Sequence, residues 1–242
     1  MPPRPQQPHG ALRSYGRIKA RPIKARQAEL LGTLGPDLDL PEGPVDPGAL
    51  MPGAREVWLE IGFGGGEHLA GQARRAPDIL MIGVEPFLNG VASALRHIDE
   101  AGLTNVRVHQ GDAREVVARL PDAGLDRVFI LFPDPWPKAR HHKRRIVQPD
   151  FLEALARVLK PGGRLRFATD WADYADWTLE RVRDGGLFRW TAARADDWRR
   201  PPADHLTTRY EEKRLGDCAP VFLDFVRAGP AGEGAGPAAS AP

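Results

Sequence analysis

Between residues 57 and 170 five apolar runs end, one after another, on a carboxylate. Val57-Trp58-Leu59-Glu60-Ile61 carries Glu60 at its end and opens into the turn Gly62-Phe63-Gly64-Gly65-Gly66. Leu80 to Val84 stops at Glu85, Val106 to Gln110 at Gly111-Asp112, Leu125 to Phe132 at Asp134, and Arg164 to Thr169 at Asp170. Helical spacing fills the gaps: from the glycine turn to about Arg75, from Leu88 to Ala101, briefly to Leu120, from Phe151 to Leu159, and from Trp171 to Asp184. Lys160-Pro161-Gly162-Gly163 stops the fourth of these helices. Further strands are expected near Phe188 to Ala192 and Pro220 to Val226. Short strands alternating with helices predict a parallel, doubly wound α/β sheet. Such a sheet takes its ligand beyond the carboxyl ends of its strands, where the strand order reverses. One or two acids at those ends would pass as helix N-caps, the ordinary reading of Asp112 and Asp170. Five in succession predict a site.

The fourth strand ends on an unusual segment, Phe132-Pro133-Asp134-Pro135-Trp136-Pro137-Lys138, which runs into Ala139-Arg140-His141-His142-Lys143-Arg144-Arg145. A carboxylate between prolines, a flat ring and five cations suit a planar, polyanionic substrate. Charge distribution agrees. Residues 1–26 hold seven cations and residues 138–145 five, neither stretch with an acid, leaving 22 of the 34 Lys and Arg against 32 acids. An acidic body with two basic patches is the electrostatic footprint of a nucleic-acid binder. Arg140, Lys143, Arg144 and Arg145 are the expected phosphate contacts.

The 242 residues suit one α/β domain with extensions. The expected division within 1–53 is a basic extension over 1–34 and a Pro/Gly-rich, extended connector over 35–53, followed by a catalytic domain over 54–228 and a disordered Gly/Ala/Pro-rich tail over 229–242. The basic arm is read either as a segment that embraces the polynucleotide or as a tail without a dedicated role. Cys218 is the single cysteine, so no internal disulfide forms and a reducing compartment fits. The residues show no metal-ligand spacing, no apolar leader and no membrane-spanning run, so a metal-free, cytoplasmic protein without an obligatory protein partner is expected.

Gly62 and Gly64 supply the first two glycines of a dinucleotide fingerprint, but the third position is Glu67. An acid at that helix start opposes a pyrophosphate, which disfavours NAD and FAD. A cofactor without phosphate, S-adenosylmethionine, fits better. The open turn admits its amino-acid head, Glu85 suits the ribose hydroxyls, Asp112 with Ala113 the adenine edge, and Glu60 or Asp134 the ammonium. Together these residues predict a class I methyltransferase.

The chain resembles the bacterial tRNA (guanine-N7)-methyltransferase family. The resemblance is carried by Glu60-Ile61-Gly62-Phe63-Gly64, Gly83-Val84-Glu85, Gly111-Asp112-Ala113, the segment from Phe132 to Arg145, Ala168-Thr169-Asp170-Trp171 and Thr208-Arg209-Tyr210-Glu211, and it spans roughly residues 54–227. The Asp134-Pro135-Trp136-Pro137-Lys138 element is its most specific part. Tyr210 stands where members of that family often carry phenylalanine. The resemblance implies a mostly parallel, seven-stranded Rossmann-like sheet with helices on both faces and the last strand antiparallel. It also implies methylation of tRNA at guanine 46, with S-adenosylmethionine as donor. By position, Glu60, Glu85, Asp112 and Asp134 would line the cofactor site, and Lys138, Asp170, Thr208, Arg209, Tyr210 and Glu211 would contact substrate.

Guanine N7 offers an in-plane lone pair and needs no general base, so Asp134 is expected to orient groups and stabilise developing positive charge. Trp136 is read either as a stacking surface or as packing for its loop, and Glu211 either as a substrate contact or as an ion-pair partner of Lys213 or Arg214. Two other functions fit these residues less well. An amino-group methyltransferase would carry an acid or Asn before Pro-Pro and an aromatic at this strand end, whereas Trp136 follows Asp134-Pro135 directly. A non-catalytic RNA-binding protein of the same fold would have no use for Glu85, Asp112 and the glycine turn.

Overall fold

A computed structural model describes residues 22–213 and 215–229; the residues of the basic arm up to Arg21, Arg214, and the tail from Pro230 onward lie outside them. Seven strands form one sheet: β1 (Glu56–Ile61), β2 (Ile79–Val84), β3 (Val106–His109), β4 (Leu125–Leu131), β5 (Leu159–Thr169), β6 (Phe188–Trp190) and β7 (Val221–Arg227). Nine helices accompany them among the described residues: α1 (Ala25–Leu38), α2 (Pro47–Leu50), α3 (Glu67–Arg75), α4 (Leu88–Ala101), α5 (Ala113–Arg119), α6 (Pro149–Val158), α7 (Ala172–Gly185), α8 (Asp196–Arg199) and α9 (Arg209–Lys213). The strand order is β3-β2-β1-β4-β5-β7-β6. β1 to β5 run parallel, and β7 lies antiparallel between β5 and β6. The expected sheet is therefore the observed one.

β2 is buried along its whole length, as a central parallel strand covered on both faces must be. Leu59, Ile82, Val128 and Phe167 pack against α5, α6 and α7. Met81 and Phe129, on the opposite face, pack against Leu30 of α1, Leu69 of α3 and Leu95 of α4. The order reverses between β1 and β4, which places Glu60 and the segment after Leu131 side by side at the mouth of the crevice.

The expected extended connector over 35–53 is corrected. Helix α1 continues through Gly35-Pro36 to Leu38, and α2 forms within the same stretch. Leu30 and Leu38 are buried against the core, with Leu31 and Leu34 partly buried beside them. This apolar stripe, packed on α4, outweighs the local preference of Gly-Pro to break a helix. Arg26, counted within the basic arm, is tied down by Glu29 at 2.8 Å and Asp99 at 2.6 Å.

Candidate active site

A cavity of about 750 Å³ opens at the carboxyl ends of β1, β2 and β4. Its floor is the glycine turn, where Gly62 (φ 73°), Gly64 (φ 56°) and Gly66 (φ 83°) adopt the left-handed conformation that strains any side chain. No atom lies within 4 Å of where a Cβ on Gly62 or Gly64 would stand, so the turn presents bare backbone to open space. Its other side is packed hard. A Cβ on Gly90 of α4 would lie 2.3 Å from the Gly64 carbonyl oxygen.

The predicted carboxylates converge on this cavity. Glu60, Glu85, Asp112 and Asp134 all line it, with Gly62, Gly64 and Ala113. Glu85 accepts hydrogen bonds from Gly64 N–H and Phe87 N–H, each at 2.9 Å. Burial still raises its pKa, against those two donors. Asp112 caps α5 by accepting from Arg114 N–H at 2.9 Å and also lines the cavity. Burial works against its ionisation, but Arg114 Nε (2.9 Å) and Nη2 (2.5 Å) outweigh burial and lower its pKa. Glu60 is 2% exposed and accepts from His68 Nδ1 at 2.8 Å.

Asp134 sits on a strained loop. Phe132 (φ 50°) and Trp136 (φ 44°) on either side both occupy the left-handed region, at a cost of roughly 1–3 kcal/mol each for bulky residues. Such strain persists only where surroundings hold it. Phe132 N–H donates to the Ala168 carbonyl at 2.8 Å, and its ring packs on Tyr210 (5.7 Å) and Phe222 (6.4 Å). Trp136 is flanked by Arg144 at 4.9 Å and His141 at 5.9 Å, and also lines the cavity. Asp134 itself reaches solvent, yet the protein around it raises its pKa by desolvation.

The basic run forms a 3-10 turn over Ala139–Arg144. Lys138, Arg140 and Lys143 are exposed and Arg144 is half-buried. Arg145 is different, and its expected phosphate contact is corrected. It is 2% exposed, donates from Nε to the Pro135 carbonyl at 2.9 Å, pairs with Asp173, and lies over the rings of Tyr174 (4.7 Å) and Trp177 (5.0 Å). A guanidinium gripped this way pins the Asp134 loop at Pro135, and Arg145 also lines the cavity.

Two of the residues carried over from the family resemblance have local duties. Asp170 is 3% exposed and does not line the cavity; it does not cap α7, whose Ala172 N–H is taken by Asp217 at 2.9 Å, and instead accepts from Gly216 N–H at 2.9 Å, holding the segment before β7. Glu211 is bound on three sides: from Thr208 N–H at 2.9 Å and from His205 Nε2 at 2.9 Å to each oxygen. Thr208 Oγ1 accepts in return from Glu211 N–H at 3.3 Å, a capping box that starts α9. Of the two ion-pair partners expected for Glu211, Lys213 makes no salt bridge with it, and Arg214 lies outside the described residues. Thr208, Arg209 and Tyr210 do line the cavity, and Arg209 Nε pairs with Glu67 at 2.9 Å. Sequence reasoning missed Phe87, Arg114 and Phe151 in the cavity wall and His68 behind it. Only Arg114, two residues from the Asp112 cap, had a local signal.

A family model described as "Putative methyltransferase" matches residues 54–222. The tRNA (guanine-N(7)-)-methyltransferase of Caulobacter sp. (strain K31) is 67% identical over 92% of this chain and 98% of its own length. That of Hyphomonas neptunium is 55% identical over 88% of this chain and 99% of its own. Among solved structures, a variant of the 16S rRNA (adenine(1408)-N(1))-methyltransferase from Catenulisporales acidiphilia with cosubstrate SAM superposes with a TM-score of 0.53 at 20% identity, over 77% of this chain and 93% of that one. That likeness is one of fold, whereas the curated relatives match in sequence along nearly their whole length. The chain belongs to the bacterial tRNA (guanine-N7)-methyltransferase family.

Proposed function

We propose that this protein transfers a methyl group from S-adenosylmethionine to N7 of guanine 46 in the variable loop of tRNA. One observation carries the reading: the strained, pinned loop that presents Asp134 at the mouth of a cavity that Glu60, Glu85 and Asp112 also line. The donor set fits this cofactor. Glu60, Glu85, Asp112 and Asp134 offer acceptors for an ammonium group and hydroxyl donors, and the bare turn at Gly62 and Gly64 admits the amino-acid head. Glu85 would accept the ribose hydroxyls, Asp112 and Ala113 would border the adenine, and Glu60 with Asp134 would take the ammonium. When bound, the cofactor supplies a methyl group activated by its sulfonium.

What the chain must do follows from the nucleophile. Guanine N7 carries a free lone pair, so no residue needs to remove a proton from it. The methylated ring is cationic, and a fixed carboxylate at Asp134 lowers the energy of that charge as it forms. The loop's proline-restricted backbone and the Arg145 pin keep this carboxylate placed before substrate arrives, which reduces the ordering cost of binding. Trp136 and Tyr210 supply flat surfaces for a base. Exposed Lys138, Arg140 and Lys143, with Arg144, supply phosphate contacts without reading sequence.

The test is methyl transfer to an unmodified tRNA transcript, followed by chemical cleavage at N7-methylguanosine. Cleavage at guanine 46 is expected; label elsewhere in the tRNA, or in protein only, would refute the reading. Asp134→Ala should lower single-turnover transfer by at least about 10²-fold, the scale of losing one preorganised electrostatic group. A near-wild-type rate would remove Asp134 from the mechanism.

A further inference from the structure

Behind the cavity, a buried chain of hydrogen bonds joins its cofactor end to the segment that carries Thr208, Arg209 and Tyr210. Glu60 Oε2 meets His68 Nδ1 at 2.8 Å, His68 Nε2 meets Gln72 Nε2 at 3.1 Å, and Gln72 Nε2 meets the Asp204 carbonyl at 2.7 Å. Glu60, His68 and Gln72 are each at most 2% exposed. Donor and acceptor roles follow from the far end. A carbonyl oxygen only accepts, so the Gln72 amide must present its nitrogen to Asp204. The other N–H of the same nitrogen then points at His68 Nε2, which must accept. The imidazole therefore carries its proton on Nδ1 and donates it to Glu60. One Glu60 oxygen is thereby held, and Oε1 is left for a ligand.

Asp204 is itself immobilised. Its Oδ1 accepts from Arg166 and its Oδ2 from Arg127, both at 2.7 Å, and Arg166 also clasps Asp224 at 2.7 and 2.9 Å. Two more contacts tie α3 to the same segment. Arg75 Nη1 donates to the Asp204 carbonyl at 3.1 Å, and Leu206 packs so close to Gly71 that a Cβ there would meet it at 2.4 Å. Four residues on from Asp204 the chain reaches Thr208, so α3 is bolted at once to the β1 end and to the proposed tRNA-facing segment.

We propose that His68 and Gln72 are positioning residues that couple the two ends of the cavity, so that occupying the cofactor end strengthens tRNA binding. The inference rests on the cofactor and substrate assigned under Proposed function. Filling the cofactor end fixes Glu60, the relay fixes the main-chain carbonyl of Asp204, and the Thr208 to Tyr210 segment enters tRNA binding already ordered. By linkage, tRNA must strengthen cofactor binding by the same factor.

The experiment uses S-adenosylhomocysteine, the unreactive product, and an unmodified tRNA transcript. Calorimetry gives the Kd for S-adenosylhomocysteine, and fluorescence anisotropy gives the tRNA Kd with and without it. In the wild-type protein the nucleoside should tighten tRNA about 5- to 10-fold, within the usual range of coupling between sites. Gln72→Met cuts the relay away from the cavity. It should keep S-adenosylhomocysteine affinity within about 3-fold and lose the gain in tRNA affinity. His68→Phe should weaken S-adenosylhomocysteine roughly 10-fold and lose the gain as well, because Glu60 is left without its donor. His68→Asn restores an N–H at the Nδ1 position and is too short to reach Gln72, so it should recover nucleoside affinity but not coupling. Should His68→Phe fail to fold, the Gln72→Met comparison decides alone. Wild-type protein that binds S-adenosylhomocysteine with no change in tRNA affinity, or Gln72→Met with the full gain, would overturn the inference alone. No binding of S-adenosylhomocysteine at all would overturn the assignment of the site, and the inference with it.

Discussion

Arg145→Met separates a loop pin from a phosphate contact, because the two roles move different observables. The substitution keeps the length and much of the packing of the side chain but removes the guanidinium. The Pro135 carbonyl then loses a charged donor at 2.9 Å, a bond of about 1.5–3 kcal/mol. Stacking over Tyr174 and Trp177 adds about 0.5–1 kcal/mol per ring. The Asp173 pair adds little, since that carboxylate is 62% exposed. Relief of the buried charge's own desolvation offsets part of this, leaving about 3 kcal/mol of destabilisation. For a chain of this length that lowers Tm by roughly 6–12 °C in a thermal melt. Freed at Pro135, the loop should also hold Asp134 less well and slow single-turnover transfer. The dependence of tRNA binding on salt should stay as in the wild type. Arg140→Gln with Lys143→Gln should do the reverse: Tm unchanged, and a slope of log K against log salt shallower by about 1.5, because each phosphate contact contributes about 0.7–0.9. A flattened slope with unchanged Tm in Arg145→Met would refute the pin and return Arg145 to the phosphate contacts.

Gly90→Ala should weaken S-adenosylhomocysteine binding at least roughly 10-fold, a loss calorimetry reads directly, since its Cβ would lie 2.3 Å from the Gly64 carbonyl oxygen and must push the glycine turn out of place; unchanged affinity would show that the turn is not the cofactor floor. Burial holds Glu85 above the 4.5 of a free glutamate, so as pH falls the native protein takes up this proton before the unfolded chain does, and the free protein's stability falls as pH rises through that window. Ligand binding has the opposite sign, because only the carboxylate accepts from two hydroxyls. S-adenosylhomocysteine affinity should climb as pH rises through the same window in the wild type and lose that dependence in Glu85→Gln, as calorimetry across pH would read.

The parts of the site legible in the sequence are those whose position follows from being at a strand end. Glu60, Glu85, Asp112 and Asp134 were found as the acids that stop apolar runs, and a parallel sheet must bring such ends to one edge. Thr208 and Glu211 show why legibility is not the same as assignment. Their spacing is a capping box, readable in one dimension, yet it is equally a candidate substrate motif until His205 is seen against Glu211. Asp170 posed the same choice between cap and contact, and the structure shows a third role, holding Gly216.

Alternation of apolar strands with helices, and carboxylates where the strands stop, were enough to determine the doubly wound sheet and its crevice, because they depend only on chain-local patterns and the geometry of parallel sheets. Tertiary structure decided which members of a run do what. Five cations in eight residues carry no local mark of which one turns inward; Arg145 does because Asp173, Tyr174 and Trp177, nearly thirty residues on, surround it. Helix α1 crosses Gly35-Pro36 because α4 covers its leucines, and Glu60 is held through His68 by a carbonyl at Asp204. Each outcome rests on burial against residues far away in the chain, where the free energy of desolvation and packing exceeds the local preferences a sequence displays.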